Sequence, residues 1–219
     1  MTDDRTNGPS PIGALIEEAL RELRVLSPAE AEQHDAFLRR AREGTRRNEL
    51  LERGVPEKVV DALLERRMSD TQAMRETRAF LKAAPREKRI LMLTGEGGEG
   101  KTFAAAWAVA CDAHALMVHA IELANLDPRH NEMHAAKLRR YQRCSLLVID
   151  DAGTEPVDRS NAQLSQLYGL YNFRYENQRR TIVTANLSRE SLGTRYSARF
   201  LRRADEVGMW PRLAKVGGR

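Results

Sequence analysis

Apolar positions along this chain follow two different rhythms, and the change between them divides it. Before about residue 85 they recur every three or four positions. Ile12, Leu15, Ile16, Leu20, Leu23 and Leu26 do so with Glu17, Glu18, Arg21 and Glu22 between them, the spacing of an amphipathic helix over residues 11–26. Ser27-Pro28-Ala29-Glu30 reads as the next helix start, a capping serine with proline in the first turn and a glutamate three residues on. That helix is expected to carry Phe37, Leu38 and a basic run to Arg47, interrupted or bent near Gly44. Gly54-Val55-Pro56 breaks the pattern; helices are predicted over residues 57–66 and 70–83, and Ala84-Pro85 closes this part. The polar residues 1–10, with Gly8 and Pro9, are expected to be a disordered start.

After residue 88, short apolar runs alternate with helical spacing. Strands are predicted over residues 89–94, 116–121, 145–150 and 181–184, with helices over 101–113, 131–143 and 161–175 and short helices onward to Arg203. Residues 206–210 read as a weak last strand. Runs such as Leu146-Leu147-Val148-Ile149 lack polar alternation and suit strands buried on both faces. The expected class is α/β: a parallel sheet flanked by helices, with chemistry at the carboxyl ends of its strands. A helical part over residues 11–47 would precede a domain over 48–219.

The first strand runs into Gly95-Glu96-Gly97-Gly98-Glu99-Gly100-Lys101-Thr102, a full match to G-x-x-x-x-G-K-[ST], the loop that wraps nucleotide phosphates. Glycine lets backbone N–H groups turn inward toward an anion, and the helix that follows points its positive dipole end the same way. Lys101 adds charge near the β- and γ-phosphates, and Thr102 offers a hydroxyl to Mg²⁺. The implied ligands are a nucleoside triphosphate and Mg²⁺. Glu96 and Glu99 belong to the loop, but their carboxylates would repel phosphate and are expected to face outward.

Further candidates end other strands. Asp150 follows four apolar residues, where a carboxylate can hold Mg²⁺; Asp151, one residue on, stands where a water-orienting or proton-accepting group is needed. One strand, residues 116–121, intervenes in sequence between the loop and this pair. Asn186 ends the run Thr181-Ile182-Val183-Thr184-Ala185; it can serve the attacking water or γ-phosphate, or cap the following helix. Arg195 and Arg199 lie four apart, on one face of a predicted helix.

Charge and composition modify this picture modestly. The net charge of +5 and a pI near 9.5 favour an acidic partner such as nucleic acid, and Lys137, Arg139, Arg140 and Arg143 are candidates for its path, though a solvated helix face explains them as well. Cys111 and Cys144 are expected as small core residues. His130 and His134 share a helical face without the order H-E-x-x-H of a zinc site. No apolar run of spanning length is present, so the expected compartment is the cytoplasm, with no membrane partner.

Taken in order, the motifs resemble those of the AAA+ ATPases of the DnaC and IstB group, the bacterial helicase loaders and transposition helper ATPases. The matching residues are Gly54-Val55-Pro56, the loop from Gly95 to Thr102, Leu147-Val148-Ile149-Asp150-Asp151-Ala152-Gly153, Leu167-Tyr168 with Arg174-Tyr175-Glu176, the run from Thr181 through Asn186 to Leu187, and Arg195-Tyr196-Ser197-Ala198-Arg199-Phe200. The resemblance implies a P-loop NTPase of the additional-strand class; residues 204–219 depart from the family's pattern, being too few for a lid domain, so none is expected there. It makes Asn186 the sensor asparagine and Arg199 an arginine finger for a neighbouring subunit's ATP. It further implies ATP hydrolysis and a homo-oligomer formed on single-stranded DNA, with the N-terminal helices gripping a replicative helicase or a transposase. A small-molecule kinase and a non-hydrolysing ATP-dependent scaffold are the competing readings.

Overall fold

The computed structural model describes residues 28–67, 69–98, 100–129, 131–156, 162–211 and 213. The expected disordered start, the helix over 11–26, the Ser27 cap, Glu99 and His130 lie outside these residues. Two compact units divide at Thr45 and Arg46. Of the first, the described part is the leading stretch of helix α1 (Pro28–Glu52), where Phe37 is exposed. Gly44 does not interrupt α1, which is continuous for 25 residues. Its position is open, with nothing within 4 Å of where a Cβ would stand, so the helix loses only the entropy that glycine costs.

The second unit holds α2 (Glu57–Leu64), α3 (Gln72–Lys82), β1 (Ile90–Thr94), α4 (Lys101–Cys111), β2 (Leu116–His119), α5 (Ala120–Ala124), α6 (Glu132–Arg143), β3 (Leu146–Asp150), α7 (Ala162–Glu176), β4 (Arg180–Ala185), α8 (Arg189–Tyr196), α9 (Ala198–Val207) and β5 (Gly208–Met209). All the strand pairings are parallel, and the sheet order is β2-β3-β4-β1-β5. β4 therefore lies between β1, which feeds the phosphate loop, and β3, which ends in Asp150. The strand that separates the two motifs in sequence, β2, is at the edge instead.

Alternate residues of each strand feed opposite faces. Leu91, Leu93, Met117, Val148 and Ile182 pack with α2, α3 and α4. Ile90, Met92, Val118, Leu147, Ile149 and Val183 pack with the α5 to α9 side. On the first face α4 contributes Ala104, Ala105, Ala106, Ala108 and Val109, all buried, and these small side chains let the helix approach the sheet closely. The edge strand β2 is covered by the turn after α1, where Met117 donates its N–H to Arg53 O at 2.8 Å. That approach requires Gly54: its φ is +86°, and a Cβ there would stand 2.0 Å from Met117 O.

Arginines close several open helix ends. Arg53 donates to Val109 O at 3.0 Å and Asp112 O at 2.6 Å, at the carboxyl end of α4, and Arg180 donates to Phe80 O at the end of α3. Cations there add a second hydrogen bond to terminal carbonyls and oppose the helix dipole. Arg174 is wholly buried on α7. It bonds Tyr141 O at 2.6 Å, Cys144 O at 3.1 Å, Thr181 Oγ1 at 3.1 Å and Arg180 O at 2.5 Å, tying the end of α6 to the starts of β3 and β4. Burial pushes its guanidinium down to about 10, so it stays charged at neutral pH. Neither cysteine forms a disulfide; Cys144 is half-buried, whereas Cys111, expected in the core, is exposed at the last residue of α4.

Candidate functional site

The carboxyl ends of β1, β2, β3 and β4 converge on a cleft of about 620 Å³ lined by the phosphate loop and by side chains from four other segments. Gly97, Gly98, Gly100, Lys101 and Thr102 form one wall, and Asp150, Asp151, Asn186 and His119 another. The loop's geometry follows from its glycines. Gly100 sits at φ +74° as the N-cap of α4, and its missing Cβ would lie 3.3 Å from Thr71. Lys101 is buried and donates from Nζ to Gly95 O at 3.0 Å and to Glu96 O. Its charge is thus held inside the curve of the loop. Glu96 is exposed and is not among the residues that line the cleft.

Asp150 is 5% exposed and accepts two hydroxyl bonds on Oδ1, from Thr102 at 3.0 Å and from Thr184 at 2.6 Å. The loop threonine and the strand-end carboxylate, 48 residues apart, thus meet directly. Their oxygens are hard donors of the kind Mg²⁺ takes, and the pair fits that ion.

Asp151 adopts φ +57°, a left-handed conformation that aspartate tolerates better than most residues. The turn is fixed from several sides. Asp151 N donates to Thr184 Oγ1 at 2.8 Å, Ala152 N to Thr184 O at 2.8 Å, and Thr154 Oγ1 to Asp151 O at 2.8 Å. The carboxylate is therefore aimed into the cleft, where Asn186 Nδ2 donates to its Oδ1 at 2.9 Å. Asn186 does not cap α8; Ser188 does, accepting from Ser191 N at 3.2 Å.

His119 also faces Asp151, with Nε2 at 3.7 Å from Oδ2. Its Nδ1 accepts the Ile121 N–H at 3.2 Å, which leaves the neutral ring's proton on Nε2, toward the carboxylate. Sequence reading missed this residue because Ala120 and Ile121 extend the apolar run past it. The chain instead turns into α5 at Ala120, making His119 a strand-end residue, and a polar residue ending a parallel strand is the signal that would have found it. Thr184 was likewise missed, being an interior β-branched strand residue with nothing local to mark it.

Arg195 and Arg199 do not share a helical face. Ser197, at φ +123°, separates α8 from α9. Arg195 is turned to Glu155, whose side chain is wholly buried: Arg195 Nε lies 3.4 Å from Oε1, Gly153 N donates to Oε2 at 2.9 Å, and the Tyr196 hydroxyl donates to Oε1. Burial and that carboxylate push the Tyr196 hydroxyl up. Arg195 thus anchors the segment that follows Asp151. Arg199 is exposed on α9 and does not line the cleft among the described residues.

Of the basic residues on α6, Lys137 pairs with Glu122, while Arg139, Arg140 and Arg143 are exposed. His134 is engaged through Nδ1 by Asp127 N at 3.0 Å. No helix among the described residues is long and apolar enough to cross a membrane.

The family model described as IstB-like ATP binding protein matches residues 52–204. Among solved structures, the DnaC helicase loader matches with a TM-score of 0.53 at 20% identity, over 65% of this chain and 89% of that one. DnaI matches with a TM-score of 0.53 at 18% identity, over 65% and 84%. DnaA from Aquifex aeolicus, bound to AMPPCP, matches with 0.52 at 16%, over 67% of this chain and 47% of that longer one. At these identities the likeness is one of fold. No curated protein sequence matches the chain. The five-stranded parallel sheet, the phosphate loop and a family match over more than half the length together place the chain among the IstB-like ATP-binding proteins, AAA+ proteins of the DnaC/IstB type.

Proposed function

We propose that this protein hydrolyses ATP at a site completed by a second copy of itself, and that it uses the cycle to deliver a replicative helicase to single-stranded DNA. The observation that carries the ATPase part is the meeting of Thr102 with Asp150 and of Asn186 with Asp151 in one cleft beside Lys101. The loop's N–H groups and Lys101 bind the phosphates. Thr102 and Asp150 would hold Mg²⁺, which would supply positive charge at the phosphate oxygens. Asp151 orients the attacking water and accepts its proton; Asn186 keeps that carboxylate directed into the cleft. Arg199, exposed on its own chain, reaches the nucleotide of a neighbour and neutralises charge developing on the γ-phosphate.

The helicase-loading part is supported by the fold shared with the DnaC helicase loader. A second reading, a transposition helper acting with a transposase, is favoured by the family match itself. One experiment separates them: phosphate release with single-stranded DNA, paired with ATP-dependent co-purification of partners from cells. Recovery of the replicative helicase supports the first reading, and recovery of a transposase replaces it with the second. No ATP hydrolysis with DNA present would reject the enzymatic assignment and leave an ATP-dependent scaffold.

A further inference from the structure

Two carboxylates are buried among the described residues. Asp150 belongs to the cleft; Glu155, 1% exposed, does not line it. A carboxylate that loses its water is kept only where charge and hydrogen bonds replace it. For Glu155 these come from two directions. Gly153 N donates to Oε2 at 2.9 Å from the turn that begins at Asp151, whereas Arg195 Nε, 3.4 Å from Oε1, and the Tyr196 hydroxyl approach from the end of α8. Arg195 Nη2 also donates to Glu155 O, so backbone and side chain of the same residue are both held.

Each direction leads to one half of the proposed ATPase site. Gly153 and Asp151 share a tight turn, with φ of +101° and +57°. A Cβ on Gly153 would collide with Leu187, the residue after Asn186, so the turn is pressed against the segment that holds the Asp151 carboxylate. On the other side, Tyr196 ends α8, and Ser197, at φ +123°, turns the chain into α9. The Tyr196 ring lies 5.0 Å from that of the buried Phe200, and a Cβ on Gly193 would stand 2.6 Å from Leu201 Cδ1. The two helices thus meet in a packed corner, and Arg199 stands in it beside Phe200. We infer that Glu155 is a positioning residue for both halves: through Gly153 it holds the Asp151 turn at its own chain's cleft, and through Arg195 and Tyr196 it holds the corner that presents Arg199 to a neighbour's. This rests on the proposed ATPase and its finger. Hydrolysis in one cleft and in the next then depends on the same buried carboxylate, which touches neither nucleotide.

The test is steady-state phosphate release by the full chain with single-stranded DNA, at concentrations where the parent assembles. Glu155→Gln keeps the volume and an acceptor for the Gly153 N–H but removes the charge that Arg195 meets. It is expected to lower kcat about tenfold and to leave KM for ATP within about twofold. Mixtures separate the two halves, with Arg199→Ala plus Lys101→Ala as the reference, in which one chain supplies the cleft and the other the finger. Adding Glu155→Gln to the Lys101→Ala chain tests the corner; adding it to the Arg199→Ala chain tests the Asp151 turn. Each mixture should recover about fivefold less rate than the reference. Reference-level recovery in either one overturns the inference, as does a lowered melting temperature with kcat unchanged. Glu155→Gln with Arg195→Gln replaces the ion pair by two amides that can bond each other, and should regain part of the lost kcat; losses that simply add overturn the pairing. If Lys101→Ala is inactive while Glu155→Gln keeps the parent's kcat, only the role of Glu155 fails. If Lys101→Ala hydrolyses ATP as the parent does, the ATP-site reading fails with it.

Discussion

Asp151 shows how much of this site depends on single bonds. Its left-handed backbone is held by Thr184 and Thr154, and its carboxylate is held on one oxygen by Asn186 and faced on the other by His119. Asp151→Asn keeps the shape and removes the proposed base. ATP affinity should persist while turnover falls by about 100-fold or more, measured as steady-state phosphate release; unchanged turnover would falsify the assignment. His119→Ala leaves the proposed base present but less constrained. We expect kcat to fall about tenfold with KM nearly constant, and a proportional rise in KM would instead assign His119 to nucleotide binding.

At the scale of elements, the fold was largely legible because alternation of period-2 and period-3.6 patterns reflects burial directly. The strands at residues 90–94, 146–150 and 180–185 fall close to where apolar runs predict them. Misreadings came where local pattern and tertiary context diverge. The apolar residues Ala120 and Ile121 look like more strand, yet β2 stops at His119 and α5 begins. Arg195 and Arg199 have helical spacing, yet the break at Ser197 sends one to Glu155 and leaves the other exposed. Gly54 was readable as a break but not as the residue that lets the turn after α1 cover the sheet edge. Gly54→Ala forces a Cβ against Met117 O from a positive φ. The expected loss is about 2 kcal/mol or more, from strain and displaced edge pairing. Urea unfolding of the full chain, with m unchanged and a lower midpoint, is the measurement.

For the whole molecule, the question is what a second copy adds. Among the described residues the cleft is lined by Lys101, Thr102, Asp150, Asp151 and Asn186 but not by Arg199, so the finger proposed at Arg199 is one that would act between chains. Arg199→Ala should bind ATP like the parent and lose about three orders of magnitude or more of the rate that assembly on single-stranded DNA produces. Equal turnover in variant and parent, at protein concentrations where the parent assembles, would remove Arg199 from the mechanism. Mixing the variant with Lys101→Ala sharpens the test, since a mixed pair still contains one site with both an intact loop and an intact finger and should recover part of the rate.

By itself the sequence determined the phosphate loop, the paired carboxylates, the α/β alternation and the resemblance that names the family, because each is written in contiguous residues whose chemistry or burial is local. Tertiary structure alone decided that β4 stands between the loop strand and the carboxylate strand, and that Thr184 and His119 join the site. It also decided that Asn186 turns to Asp151 rather than capping α8. Those outcomes depend on which strands become neighbours and how helices pack across them. Such contacts join residues tens of positions apart, and no local pattern encodes them.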